Sequence, residues 1–183
     1  MSDATQYVPP PLPEKLQTAD GRHSNVWAEW YTFVAERLRN LWVGTSTNDN
    51  AAVGDRGEYI EATRTLGDAV ALSSLTEANV ETLSLPAGDW EVRGEVWFDV
   101  GTGGALGLRC GISLGSATLP AGPGDGARHD VVATFTASFV NALPLEPVRI
   151  SLAATTTVYL VALAGFVGGT VGAFGRIAAR RVR

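Results

Sequence analysis

Between Asp89 and Val100 the sequence DWEVRGEVWFDV alternates without a break. Trp90, Val92, Gly94, Val96, Phe98 and Val100 fall on one face, and Glu91, Arg93, Glu95, Trp97 and Asp99 on the other. A period of two sends successive side chains to opposite sides of an extended strand. One apolar face backed by one charged face suits an antiparallel sheet with a single wet side. Counting this segment, about nine strand-like stretches run from Glu58 onward, over 58–65, 68–74, 79–85, 89–100, 105–115, 129–140, 146–153, 156–167 and 171–182. Valine, threonine, leucine and aromatics dominate them, and PAGD, GTGG, PAGPGDG, ALPLEP and VGG punctuate them. No helical period intervenes, so the sequence predicts a mainly β protein with an antiparallel β-sandwich or jelly roll as head domain over 58–183.

Residues 150–175 carry no charge, and RIAARRVR follows, a pattern that also fits a membrane helix with a basic flank. The β-branched start of TTTVYLVALAGF and the turn residues Gly168 and Gly169 argue instead for two strands joined by a hairpin, buried on both faces, and against membrane insertion. Strands so apolar make poor exposed edges, and a sandwich closing its core across a threefold axis would hide them.

The first part of the chain has different chemistry. Pro9, Pro10, Pro11 and Pro13 fix extended backbone and remove amide donors, which makes residues 1–22 an extended arm, either a disordered tail or a docking peptide. The arm has no basic region followed by an apolar one and does not read as a signal peptide. A helix is expected over 23–43, with Ser24 as N-cap and Gly44 just beyond its end. Trp27, Tyr31, Val34, Leu38 and Leu41 step by alternating fours and threes, which fits either the seam of a short coiled coil or a single amphipathic helix packed on its own domain. The apolar face is wider than one seam can bury, so Trp30, Phe33 and Trp42 are expected, with the proline arm, to anchor the chain on a second protein. Residues 44–57 are small and polar and read as a linker.

The inventory for catalysis is thin. The net charge is −5 and Lys15 is the only lysine, which speaks against a nucleic-acid partner. The terminal arginines Arg176, Arg180, Arg181 and Arg183 would be divided between two faces of a strand. Cys110 cannot form an internal disulfide and sits in an apolar run, as a buried structural thiol does. His23 and His129 have no companions at metal-ligand spacing, and neither a nucleophile elbow nor a phosphate-binding loop is present. Asp89, Glu91, Glu95, Asp99, Asp125 and Asp130 could supply a glycoside-hydrolysing carboxylate pair, but scattered acids in a β protein usually serve surface solubility. We therefore expect no enzyme, no cofactor and no metal. Trp97 on the wet strand face, Asp125, and the loops 101–104 and 120–128 are the candidates for glycan contact, because aromatic faces and polar loop groups bind sugars.

Two blocks carry a resemblance. ANVETLSLPAGDWEVRGEVWF and EPVRISLAATTTVYLVALAGFVGGTVGAFGRIAARRVR resemble the strand–turn–strand and closing blocks of small β domains in bacteriophage fibre and spike proteins of head-fibre and tail-fibre type. The similarity spans roughly Gly67 to Arg183 and leaves out the arm and helix. It implies a non-enzymatic virion component, commonly a homotrimer, fixed by its N-terminal part to another virion protein of capsid, collar or tail. Its β domain would face outward and could meet host surface glycans. A carbohydrate-binding adhesin module and a small glycan depolymerase are the competing readings.

Overall fold

The computed structural model describes residues 25–42, 50–122 and 124–182. The chain divides into two units, Met1–Asp49 and Asn50–Arg183. In the first, helix α1 spans Asn25–Trp42. The cap positions Ser24 and Gly44 and the prolines at 9, 10, 11 and 13 lie outside the described residues.

The second unit is built from β1 (Tyr59–Arg64), β2 (Val70–Ala71), β3 (Ala78–Leu85), β4 (Gly88–Val100), β5 (Gly107–Ser113), β6 (Ala127–Val131), β7 (Phe139–Leu152), β8 (Thr156–Gly165) and β9 (Val171–Arg181). One sheet has the order β1-β9-β4-β7, with β2 also on β9, and the other has the order β3-β8-β5-β6. Every pairing is antiparallel. With the two-residue β2 set aside, the eight longer strands counted along the chain give sheets 1-8-3-6 and 2-7-4-5. That is the strand order of a jelly roll, two facing sheets between which the chain passes at nearly every turn.

The alternation read from Asp89 to Val100 is the reason β4 sits where it does. Trp90, Val92, Val96, Phe98 and Val100 are wholly buried, while Glu91, Arg93 and Trp97 are exposed on the other side. Leu108, Cys110, Ile112, Val158 and Leu160 of the facing sheet complete the core. Each such side chain withdraws roughly 1.5–3 kcal/mol of apolar surface from water, so truncating Phe98 to alanine would cost about 3–5 kcal/mol.

Strand β8 is buried on both faces, as its sequence requires. Val158, Leu160, Ala162 and Ala164 point into the core, and Val161 and Leu163 are covered on the outside by Leu119, from the β5–β6 loop folded over them. No described helix is long and apolar enough to cross a membrane.

Four local expectations are corrected. First, the Gly168–Gly169 turn does not make a hairpin: β8 and β9 belong to opposite sheets, and the turn carries the chain from one to the other. Both strands are interior in their sheets, which accounts for their apolarity without a threefold axis. Second, ALPLEP is part of β7, where Leu145 and Val148 face Gly94 and Val92 with one extra residue bulged out between them. Pro144 and Pro147 are tolerated there because β7 is an edge strand, with no second neighbour to need their missing amide hydrogens. Third, 68–74 holds only the two-residue β2, preceded by a tight 3-10 turn at Leu66–Asp68. Thr65 Oγ1 donates to Asp68 Oδ2 at 3.1 Å, and Arg64 Nη1 to the Asp68 carbonyl at 3.2 Å, local bonds that compete with a sheet ladder. Fourth, the stretch 129–140 is broken after Val131, and the chain loops over 132–138 before β7.

The expected linker is described only from Asn50. Asn50 Nδ2 donates to the Tyr59 carbonyl at 2.6 Å and its Oδ1 accepts the Tyr59 amide at 2.9 Å, closing 50–59 as a loop on the β unit.

Candidate functional site

In α1 the aromatic residues meet on one face. Trp27 and Trp30 pack edge to face with centroids 5.6 Å apart, and Tyr31 lies 5.8 Å from Trp27 and 5.4 Å from Trp30. The helical spacings of three and four make the two contacts of Trp27, and Trp30 and Tyr31 are neighbours in sequence. Tyr31 and Leu38, two seam positions, are exposed at 43% and 53%, whereas Trp27, Trp30, Phe33 and Val34 are half-buried. The backbone of Leu41 and Trp42 is helical, and their side chains lie outside the description.

On the β unit, Trp97 is 39% exposed on the outer face of the first sheet. Register puts it directly opposite Phe174 of β9, and the two rings stack with centroids 6.1 Å apart and planes 28° from parallel. They floor a groove of about 520 Å³. Its polar rim includes Thr63, Arg64, Glu95 and Arg176, with the last two 3.6 Å apart. This is an aromatic platform with hydrogen-bonding groups of both signs beside it. The sequence named Trp97 but not Phe174, whose place beside it depends on register between strands far apart in the chain.

Asp125 does not join this groove. It is exposed in the β5–β6 loop, on the other sheet, with its amide on the Gly122 carbonyl at 3.1 Å. Of the candidate loops, 101–104 lies at the end of β4 nearer Trp97, while 120–128, described except for Pro123, lies with Asp125. A hollow of about 550 Å³ beside the latter is lined by Pro120, Arg128, Asp130, Glu146 and Pro147 among others.

Three of the six scattered carboxylates, Asp89, Glu95 and Asp130, lie against arginines. Asp89 accepts from Arg149 Nε at 2.8 Å, a contact that raises the Arg149 guanidinium above its usual value, and it also accepts from Ser151 at 2.9 Å. Asp130 accepts from Arg128 Nε at 2.9 Å and Nη2 at 2.8 Å, and this contact holds its carboxyl below the usual range. His129 Nδ1 lies 2.8 Å from the Pro144 carbonyl, which can only accept, so this nitrogen carries the proton and ties edge strand β6 to edge strand β7. Cys110 is fully buried, and burial, with Asp130 adding to it, pushes its thiol up to about 12, the state of an unreactive sulfur. Among the described residues no group of three or more histidine, cysteine or acidic side chains is placed to hold a metal ion.

The terminal arginines separate as the strand period requires. Arg176 and Arg180 are exposed, while Arg181 points inward and lies 2.8 Å from the buried Glu58 carboxylate.

No protein-family model matches the chain, and no curated protein matches it. Among solved structures it is similar to chains of infectious bursal disease virus. For the T13 viral particle the overlap has a TM-score of 0.47 at 19% identity, covering 76% of this chain and 36% of that one. For the VP2 subviral particle the values are 0.46 and 18%, covering 76% and 37%. The chain thus spans little more than a third of the length of the viral chains it overlaps. Its jelly-roll assignment rests on its own strand order and not on these overlaps.

Proposed function

We propose that the chain is a bacteriophage virion structural protein. Its β unit is the outward-facing part, and its N-terminal arm and helix join three copies and dock them on a capsid, collar or tail protein. The observation that carries this reading is the combination of an eight-strand jelly roll with a separate helix that leaves seam positions Tyr31 and Leu38 exposed. Jelly rolls serve in viral capsids and in lectins, and the sequence blocks at Ala78–Phe98 and Glu146–Arg183 favour the viral use. An amphipathic helix beside an independent core is the ordinary device for assembly. Sedimentation velocity tests it: the full chain is expected to run as a trimer and the Leu38→Glu variant as a monomer. A parent that stays monomeric at every concentration refutes the trimer.

The stacked pair Trp97 and Phe174 favours a second reading, host attachment through a surface glycan, which is compatible with the first. Sugar rings stack on such aromatic faces while carboxylates and guanidinium groups meet their hydroxyls. On a glycan array the parent is expected to give signals that Trp97→Ala loses. Equal signals from both proteins dispose of this site, and no signal from the parent disposes of the reading.

A further inference from the structure

The groove over Trp97 and Phe174 does not end at the aromatic pair. Glu95 and Arg176, which line it, also line a second, smaller hollow of about 160 Å³, together with Arg93, Pro144 and Pro147 among others. Two hollows that share these residues make one trough along the wet face of the first sheet. Register sets its course. Trp97 lies opposite Phe174, Glu95 opposite Arg176, and Arg93 opposite Ala178, so these outward rows follow one another along β4 and β9. The middle row continues to Thr63 of β1 on one side and Pro144 of β7 on the other. At about 3.4 Å per residue, Arg93 stands roughly 14 Å from Trp97 along the strand. A pyranose ring is far shorter than that, so the trough suits several sugars in a line.

The ionic groups decide the class of sugar. Glu95 and Arg176 lie 3.6 Å apart and neutralise one another, yet their side chains remain 37% and 47% exposed. A carboxylate and a guanidinium side by side offer an acceptor next to donors, which matches adjacent hydroxyls, since each hydroxyl both donates and accepts. Arg64, on the rim, lies 3.7 Å from Glu81 and donates to the Asp68 carbonyl at 3.2 Å. At the far end the Arg93 guanidinium stands 6.0 Å from the centre of the Tyr59 ring, and the Tyr59 hydroxyl donates to Glu61 at 2.8 Å. Glu61 is on the same row as Arg93, with Ala178 between them, so the carboxylates and cations of the trough offset each other.

An acidic sugar meets two obstacles here. Its carboxylate would have to displace Glu95 from Arg176 and then lie beside that like charge, a juxtaposition that rejects a partner. Over a longer range, the chain from Asn50 onward carries thirteen acidic residues against ten arginines, a balance that turns polyanions away. We propose that the trough takes an internal stretch of a neutral, linear polysaccharide, with one sugar against Trp97 and Phe174 and the hydroxyls of the following sugars on Glu95, Arg176 and Arg93. This rests on the glycan reading of Trp97 and adds the charge and the length of its ligand.

The test applies the full chain to immobilised oligomers of glucose, galactose and mannose, and of galacturonate, each as disaccharide and hexasaccharide. The parent is expected to bind a neutral hexasaccharide more strongly than its disaccharide and to give no galacturonate signal. Arg93→Ala, at an exposed position, should lower the hexasaccharide signal more than the disaccharide signal. Glu95→Gln keeps a hydrogen-bonding group but leaves Arg176 without its carboxylate, so it should weaken neutral binding and gain a galacturonate signal. Galacturonate signals from the parent, or their absence from Glu95→Gln, overturn the neutral class and leave the glycan reading standing. Equal parent signals from disaccharide and hexasaccharide, or parent-like binding by Arg93→Ala, reduce the site to a sugar on Trp97 and overturn the trough. Parent signals that survive Trp97→Ala, or no parent signal at all, remove the glycan reading and this proposal with it.

Discussion

At the end of the sandwich that holds Glu58, its root, Arg181 and Glu58 lie 2.8 Å apart with both side chains buried. The guanidinium also covers the Trp90 ring at 4.2 Å and donates to the Ala87 carbonyl at 2.9 Å. Glu58 accepts the Gly54 amide at 3.0 Å, so the incoming chain and the last strand are tied by charged side chains. At the opposite end, the tip made by the β2–β3, β4–β5, β6–β7 and β8–β9 loops, the Ser74 hydroxyl braces Phe166 and elsewhere backbone lies directly on backbone. Gly101 donates to Thr170 at 2.9 Å and Thr170 to Thr102 at 3.3 Å, and a Cβ on Gly169 would stand 1.5 Å from the Thr102 carbonyl oxygen. The difference teaches where each end spends its side chains. The root turns them inward and closes on itself, whereas the tip is held by its main chain and one serine hydroxyl and leaves its aliphatic groups outside.

The largest effect is expected at the root. Arg181→Met leaves the Glu58 carboxylate buried without a cation, a loss of about 3–5 kcal/mol. Urea unfolding followed by tryptophan fluorescence at neutral pH measures it. Adding Glu58→Leu should recover much of the loss, because the desolvated charge goes with it. A double variant as unstable as the single one would assign the loss to the Trp90 and Ala87 contacts instead.

A smaller effect separates two causes at the tip. Gly169 has φ 77° and no room for a Cβ, while Gly168 has φ 69° and nothing within 4 Å of one. Gly169→Ala should cost about 3 kcal/mol from overlap and dihedral strain together. Gly168→Ala should cost about 1 kcal/mol from the dihedral alone. Equal losses in the two variants would mean that backbone packing does not hold the tip.

These contrasts also mark how far the sequence could be read. The inward set from Trp90 to Val100 and the two-sided burial of β8 follow from period and apolarity, which are local properties. The sheet partners of β8 and β9 do not, since a glycine turn permits either a hairpin or a crossing between sheets, and long-range packing chooses. The same limit hid Phe174 from a reading that found Trp97. Leu106, Val132 and Val167 fall inside the strand spans 105–115, 129–140 and 156–167 read from the sequence, yet each lies in a loop, and only the jelly-roll order brings them with Leu75 to one end of the sandwich. On the helix, the stepping of Trp27, Tyr31, Val34, Leu38 and Leu41 is the whole of what speaks for a seam.

The exposed pair on β6 gives the smallest effect and the sharpest control on the root. Arg128 and Asp130 make two hydrogen bonds, at 2.9 and 2.8 Å, yet their side chains remain 34% and 37% exposed. Water and salt screen such a pair, so Asp130→Asn should lower stability by no more than about 1 kcal/mol at pH 7. The sign with pH follows from the depressed Asp130 carboxyl, whose first cause is the Arg128 hydrogen bond. The folded protein favours the charged form, so the contribution is complete above the ordinary carboxyl value of about 3.9 and is lost as pH falls through the lower folded value. Urea midpoints of parent and variant should therefore differ slightly at pH 7 and converge in acid. A loss at pH 7 as large as that of Arg181→Met would mean that exposed and buried pairs count alike, and burial would no longer explain why the root is the closed end of the sandwich.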